Sequence, residues 1–192
     1  GDHWAGLLEI LKNGFPKGWK PRGQLGDHIS IHPGYTTIMV GIPGSGKSEI
    51  LDQILIQLSI DYNLRGGYFS PENRPTELHL LKLIEKLVGR SVWRCDKNIL
   101  ENARNFLEDR FFWIYPNEGY DLDNILEKVR QSVLRYGINW FVIDPWNKLE
   151  HQYTQSETKY ISESLDKIAN FNHKNGTHCF IVAHPTKMRL NQ

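Results

Sequence analysis

An α/β fold, with a mostly parallel sheet and helices on both faces, is predicted by three features of the sequence. Short apolar runs alternate with segments of helical period along the whole chain. The run "NWFVID" at 139–144 is almost continuously apolar, as expected of a strand covered on both faces. The stretch "GIPGSGKSEI" at 41–50 joins one apolar run directly to a helix-like segment through a glycine-rich loop.

The elements follow in order. Trp4, Leu7, Leu8 and Leu11 recur at helical spacing, so residues 4–13 read as a short amphipathic helix that stops at Asn13-Gly14. "GFPKGWKPRG" (14–23) is broken by Gly and Pro and reads as a loop. A strand is expected at 36–40, then the glycine-rich loop, then a helix with Leu51, Ile54, Leu55 and Leu58 on one face. "GGYFS" (66–70) is a second strand, ended by Pro71. Leu78, Leu81, Leu83, Ile84 and Leu87 predict a helix over about 76–88, and 97–109 reads as another. "FFWIY" (111–115) is a third strand, followed by a helix marked by Leu122, Ile125, Leu126, Val129 and Val133. After the strand at 139–144, Ile161, Leu165, Ile168 and Ala169 mark a helix, and "HCFIVAH" (178–184) the last strand. No internal repeat or low-complexity segment interrupts this order.

Composition narrows the classes. The 192 residues suit one domain with a real core, at 40% apolar and 23% charged residues. Lys and Arg (23) nearly cancel Asp and Glu (22), so no global basic field advertises nucleic acid and any such contact must be local. Cys95 and Cys179 lie far apart and the eight histidines lack metal-ligand spacing. Neither a disulfide framework nor a zinc site is indicated. No apolar run approaches transmembrane length, and a soluble, intracellular protein with no membrane partner is expected.

The loop at 41–48 carries the chemistry. Gly41-x-x-x-x-Gly46-Lys47-Ser48 is the phosphate-binding P-loop spelling, in the strand–loop–helix setting that the motif requires. Glycines let main-chain N–H groups turn inward around a phosphate, and the helix N-terminus adds partial positive charge. Gly41, Pro43, Gly44, Ser45, Gly46, Lys47, Ser48 and Glu49 are therefore the expected nucleotide-binding residues. Lys47 can reach the β- and γ-phosphates, and the Ser48 hydroxyl can ligate Mg²⁺.

Hydrolysis also needs a Mg²⁺-supporting acid and a group that orients the attacking water. Asp144 closes the apolar strand, so its carboxylate should emerge beside the phosphates and fill the Walker-B role with Ser48. An Asp merely starting a turn before Pro145 is the plainer reading. Pro145 also occupies the position where many ATPases carry a catalytic Glu. The base must then come from elsewhere, and Glu72 in "YFSPEN" stands just past the second strand, within reach of the γ-phosphate side. "NKLE" (147–150) looks like a guanine-reading motif but ends in Glu and follows the Walker-B strand directly. The signature Leu-Ser-Gly-Gly-Gln is absent. GTPase and ABC-transporter classes are thereby disfavoured.

Together "GFPKGWKP", "GIPGSGKSE", "YFSPEN", "FVIDPWNKLEH", "SETKYISESLDKI" and "FIVAHPTK" resemble the helicase domain of DnaB-type replicative helicases. The likeness is to the TOPRIM primase–helicase branch that includes the Twinkle-like enzymes, and it runs from about residue 12 to 188. It implies a RecA-like P-loop NTPase core over 36–192, preceded by an N-terminal helix and entry loop over 1–35. It implies ATP or another NTP with Mg²⁺, catalysis by Glu72, Lys47 and His184, and metal support by Ser48 and Asp144. His184 takes the place that senses the γ-phosphate, where many relatives have Gln; either side chain can donate a hydrogen bond. The family drives translocation on single-stranded DNA and duplex unwinding from a homo-hexameric ring. Loops at about 146–156 and from Thr186 onward would line its channel, with Lys187 and Arg189 as phosphate contacts and Trp146 and Tyr153 stacking on bases or packing.

The family's arginine finger lies beyond the last strand, and a primase domain would precede Gly1, so the resemblance implies a helicase core that is part of a larger enzyme. A bacterial or phage protein in a cytoplasmic setting is expected, with an organelle left open. Two other classes compete: a RecA-like ATPase that does not unwind, such as a recombinase or KaiC-like enzyme, and a nucleotide-dependent helicase-loading module. The run from Asp144 to His151 favours the helicase by resemblance alone.

Overall fold

The computed structural model describes residues 2–14, 17–150 and 156–185. Its elements are α1 (Asp2–Asn13), α2 (Gln24–His28), β1 (Thr36–Val40), α3 (Lys47–Tyr62), β2 (Gly66–Phe69) and α4 (Thr76–Val88), followed by α5 (Lys97–Glu108), β3 (Phe111–Trp113), α6 (Leu122–Tyr136), β4 (Trp140–Ile143), α7 (Glu157–Asn175) and β5 (His178–Ala183). Short 3-10 turns cover Val92–Arg94 and Trp146–Lys148. Side chains close the starts of three helices: Asp96, Asp121 and Ser156 accept main-chain N–H groups from Ile99, Asn124 and Lys159. The five-residue α2 is an addition to the expected order; it buries no residue, so no apolar period announces it.

The five strands pair in parallel in the order β1-β5-β4-β2-β3. Alternation along each strand divides the apolar residues between two cores. Trp140 and Val142 of β4, with Phe180 and Val182 of β5, meet Leu51, Leu55 and Leu58 of α3, Leu83 of α4 and Leu107 of α5. Phe141 and Ile143, with Cys179 and Ile181, meet Leu122, Ile125, Leu126 and Val129 of α6 and Ile168 of α7. Every residue of β2 and β4 is buried, which is why β4 reads as an almost continuous apolar run.

In α4 the buried stripe is rotated from the expected one. Leu78 is 56% exposed, whereas its neighbour His79 is 2% exposed. His79 and Leu83 face inward at i, i+4 spacing, with Leu80, Ile84 and Leu87 against the core. A buried histidine takes the place where an apolar side chain would be expected.

The entry segment lies against α3. Trp19 and Ile31 exchange main-chain hydrogen bonds of 2.7 and 2.8 Å, and Ile31 joins the first core. Arg22 grips Asp61 through Nε and Nη2 at 2.9 and 2.5 Å, and the Lys20 N–H donates to the Tyr62 hydroxyl at 3.0 Å. Trp4, Leu7, Leu8 and Leu11 of α1 are exposed.

The paired glycines that open β2 answer to packing. Gly66 lies beside Trp140 in the parallel register, and a Cβ there would fall 1.9 Å from the indole Cδ2. Trp140 is held by edge contacts with Tyr68 and Phe111, at centroid distances of 5.3 and 5.5 Å, so it has no room to retreat. At Gly67 a Cβ would meet the flexible end of Ile114, its Cδ1 methyl at 2.5 Å and Cγ1 at 3.1 Å, with the Phe112 carbonyl at 3.7 Å. Gly66→Ala is expected to destabilise by about 1–3 kcal/mol, the usual range for overpacking. A chain of this size loses roughly 2–4 °C of Tm per kcal/mol. Gly67→Ala should cost less, because a methyl at the end of a side chain yields more easily than an indole. Thermal melts of the two variants check the order; equal melts would show that the indole moves freely.

Candidate active site

Strand order assembles the site. Because β5 lies between β1 and β4, and β2 flanks β4, the carboxyl ends of four neighbouring strands form one row. Along that row stand the P-loop after β1, His184 after β5, Asp144 after β4 and the Ser70–Glu72 segment after β2. The principal candidates from the sequence, far apart in the chain, are thus side by side, as the general rule for open parallel sheets requires.

The P-loop needs its glycines. Gly44 and Gly46 have φ of 78° and 85°, and Gly46 caps α3 in the left-handed region. A Cβ on Gly41 would fall 3.1 Å from Lys47 Cδ and 3.2 Å from Ser45 Oγ, a tight fit that would push these two side chains by a few tenths of an ångström. The Lys47 ammonium donates to the carbonyls of Gly41 and Ile42 at 2.5 and 2.9 Å and to Ser45 Oγ at 3.2 Å. It stands inside the cradle on neutral acceptors that anionic phosphate oxygens would displace. The first main-chain N–H groups of α3, at Lys47, Ser48 and Glu49, lack intrahelical partners by the geometry of any helix start. The Glu49 side chain points away, to Lys82 at 3.3 Å and to Lys86, which holds its carboxyl below the ordinary value. What Glu49 offers a phosphate is its main-chain N–H.

Ser48 and Asp144 meet directly, with Ser48 Oγ donating to Asp144 Oδ2 at 2.6 Å. Asp144 is 9% exposed. Burial raises its pKa, the charges of Asp52 and Glu72 push the same way, and the Ser48 bond and His184 oppose them. The geometry fits a hard divalent cation. A hydroxyl and a carboxylate share one point beneath the P-loop, with further carboxylates near enough to perturb it. Mg²⁺ sites of this type use one or two protein oxygens and complete the shell with phosphate and water. Among the described residues no group of three or more His, Cys, Asp or Glu side chains forms an all-protein cage.

Glu72 is half exposed, with its carboxylate 3.6 Å from Lys148 Nζ. Its turn is fixed by Asn73, whose side-chain amide donates to Ser70 Oγ at 2.8 Å and whose main-chain N–H donates to the Ser70 carbonyl. The main-chain N–H of His184 donates to Asn147 Oδ1 at 2.9 Å, and Asn147 Nδ2 returns a bond to the His184 carbonyl at 3.3 Å. His184 Nδ1 lies 3.4 Å from the Gly41 carbonyl, between the P-loop and the Walker-B strand. Asn147 and Lys148 join the nucleotide site, although the sequence reading places them in a false guanine motif and in an expected channel loop. Their signal was position, one short turn beyond Asp144. Asp52, a charge within the apolar stripe of α3, is a further addition. Trp146 packs against the second core, in line with the packing alternative. Tyr153, Lys187, Arg189 and most of the expected channel loops lie outside the described residues.

Comparison with known proteins bears on the fold and the sequence likeness. No family model matches the sequence. The chain is 36% identical over 189 residues to the Twinkle homolog protein, chloroplastic/mitochondrial, of Arabidopsis thaliana. That alignment covers 92% of this chain and 26% of the relative, so the chain spans about a quarter of that protein's length. Among solved structures, a DnaB-like replicative helicase studied with its interactions with primase superposes with a TM-score of 0.72 at 13% identity, over 100% of this chain and 50% of the other. A second solved structure, an ATPase domain, superposes at 0.70 with 15% identity, over 97% of this chain and 71% of the other. At such identities the two structures speak for the RecA-like fold alone; the plant relative carries the sequence likeness. The likeness to the plant Twinkle homolog, on a RecA-like fold, supports a DnaB-type helicase domain near the Twinkle branch.

Proposed function

We propose that this chain is the NTP-hydrolysing core of a replicative DNA helicase, with ATP the expected nucleotide. The observation that carries the reading is the 2.6 Å contact between Ser48 and Asp144, flanked by Glu72 on one side and His184 on the other. Lys47 and the N–H groups of the loop hold the phosphates. Ser48 and Asp144 hold Mg²⁺, which when bound neutralises charge developing on the transferred phosphoryl group. Glu72 orients the attacking water and draws off its proton, and its partial exposure leaves water access. Asn147 fixes the main chain at His184, whose ring faces the P-loop and senses the γ-phosphate.

Beyond the nucleotide, the reading extends to a larger assembly. Residues 1–35 act as an N-terminal helix and entry loop, and 36–192 as the ATPase core. The exposed apolar stripe of α1 suits docking on a neighbouring copy in a homo-hexameric ring. Lys187 and Arg189 contact single-stranded DNA in the channel, and a primase domain in the same polypeptide suits the TOPRIM-like branch. Among the described residues no helix is long and apolar enough to cross a membrane. A bacterial or phage protein working in the cytoplasm is one setting; an organelle, as for the plant relative, is the other.

Lys47→Ala removes the cation from the phosphates and should abolish hydrolysis with the circular dichroism spectrum unchanged. Turnover at the wild-type rate in a folded variant would end the assignment.

The two acids should separate. Glu72→Gln is expected to bind Mg²⁺·ATP nearly as wild type while turnover falls by about 10²–10⁴, the range for loss of a general base. Asp144→Asn should instead weaken the Mg²⁺-dependent part of binding. Steady-state ATPase assays and nucleotide titrations with and without Mg²⁺ distinguish them. Strand displacement on a forked duplex separates a helicase from an ATPase that does not unwind.

A further inference from the structure

The segment bearing Glu72 runs from the end of β2 to the start of α4, and both its ends reach one carboxylate. Before it, the Tyr68 hydroxyl donates to Asp52 Oδ1 at 2.9 Å. After it, His79 Nε2 lies 3.0 Å from Asp52 Oδ2. The histidine proton can be assigned. Trp113 Nε1, which can only donate, lies 3.0 Å from His79 Nδ1, so Nδ1 accepts and Nε2 carries the proton to Asp52. Burial and the Asp52 charge push the Tyr68 phenol well above its ordinary pKa, so it remains a donor. Asp52, Tyr68 and His79 are 5%, 2% and 2% exposed, which shields these bonds from solvent.

Asp52 lies one turn beyond Ser48 on α3, on the same helix face. It is close enough to Asp144 for its charge to act there. One buried carboxylate on the P-loop helix is therefore tied to both flanks of the segment that carries the expected base.

We propose that Asp52 is a positioning residue: with Tyr68 and His79 it forms a bracket that sets where Glu72 stands relative to Ser48, Asp144 and the phosphate cradle. The inference rests on the reading of Glu72 as the base. The bracket touches neither nucleotide nor water; it fixes the separation between two elements that do. Its loss should show in the chemical step more than in nucleotide binding, because misplacement of about 1 Å in a catalytic group costs as much as 10² in rate.

The test uses the full-length protein, with kcat for ATP, affinity for a fluorescent ADP analogue and Tm measured in parallel. Tyr68→Phe removes one arm with little change in volume. His79→Asn retains an acceptor for Trp113 but cannot reach Asp52, whereas His79→Gln places a donor where Nε2 stands. Tyr68→Phe and His79→Asn should each lower kcat about 10- to 100-fold, with ADP affinity within about threefold of wild type. His79→Gln should recover most of the loss. The double variant should be little slower than the slower single, because both arms end on one carboxylate. Folded variants of Tyr68 and His79 that turn over at the wild-type rate, beside an inactive Glu72→Gln, would overturn the bracket and leave the proposed function standing. A Glu72→Gln enzyme with wild-type turnover would remove both. Losses matched by equal losses of ADP affinity, strictly additive losses, or a His79→Gln enzyme as slow as His79→Asn would each overturn the bracket too.

Discussion

A carboxylate at the end of a strand covered on both faces cannot stand unpaired, and the site is organised around that constraint. Asp144 directly follows β4, whose residues are all buried. Burying an ionised group is unfavourable unless donors meet it, and a hydrogen bond to a charged group is worth about 1.5–3 kcal/mol. Ser48 supplies one such bond, which fixes the first turn of α3 over the end of β4. The placement of the P-loop follows, because Gly46 hands the chain directly into that turn. Packing of Leu51, Leu55 and Leu58 along the same helix then carries the alignment into the core.

The site is electrostatically unfinished in a way that suits a metal nucleotide. Asp52 and Glu72 both disfavour the charge on Asp144, as does its burial, and the opposing influences are the Ser48 bond and His184. Lys47 faces loop carbonyls and a hydroxyl, and Lys148 faces Glu72 from 3.6 Å. Negative charge thus gathers beneath the P-loop and positive charge sits within it. A phosphate chain with its divalent cation fills both needs at once, phosphate to the ammonium and N–H groups, cation to the carboxylate. Neither half of the arrangement is well served by a neutral ligand.

Much of this is legible in the sequence because each legible feature has a local cause. The alternation of strands and helices, the continuous apolar character of β4, and the glycines of the P-loop each impose a pattern within a few residues. Asp144 and Glu72 can be read because strand ends in a parallel sheet converge on one edge. What is illegible depends on pairings across the fold. Asn147 is ordinary until β5 brings the His184 main chain against it, 37 positions along. His79 breaks the apolar period of α4 and can be buried only because Asp52 of α3 and Trp113 of β3 meet its two ring nitrogens. Leu78 reads as inward for the same reason: period alone cannot tell which of two adjacent residues holds a distant partner.

Strand β2 shows how packing and chemistry share a few residues. Gly66 and Gly67 give up side chains so that Trp140 and Ile114 can fill the space beside them. Tyr68 turns to the first core and directs its hydroxyl to Asp52, while Phe69 turns to the second core. Ser70 is buried and accepts from Asn73, which shapes the turn on which Glu72 rides. Within seven residues the chain passes from positions determined by volume, through one determined by a hydrogen bond, to one that stands half exposed to solvent. The role proposed for Glu72 needs that exposure, and exposure deprives the carboxylate of packing to hold it still. The rigidity must come from its flanks, which is where the bonds to Asp52 are found.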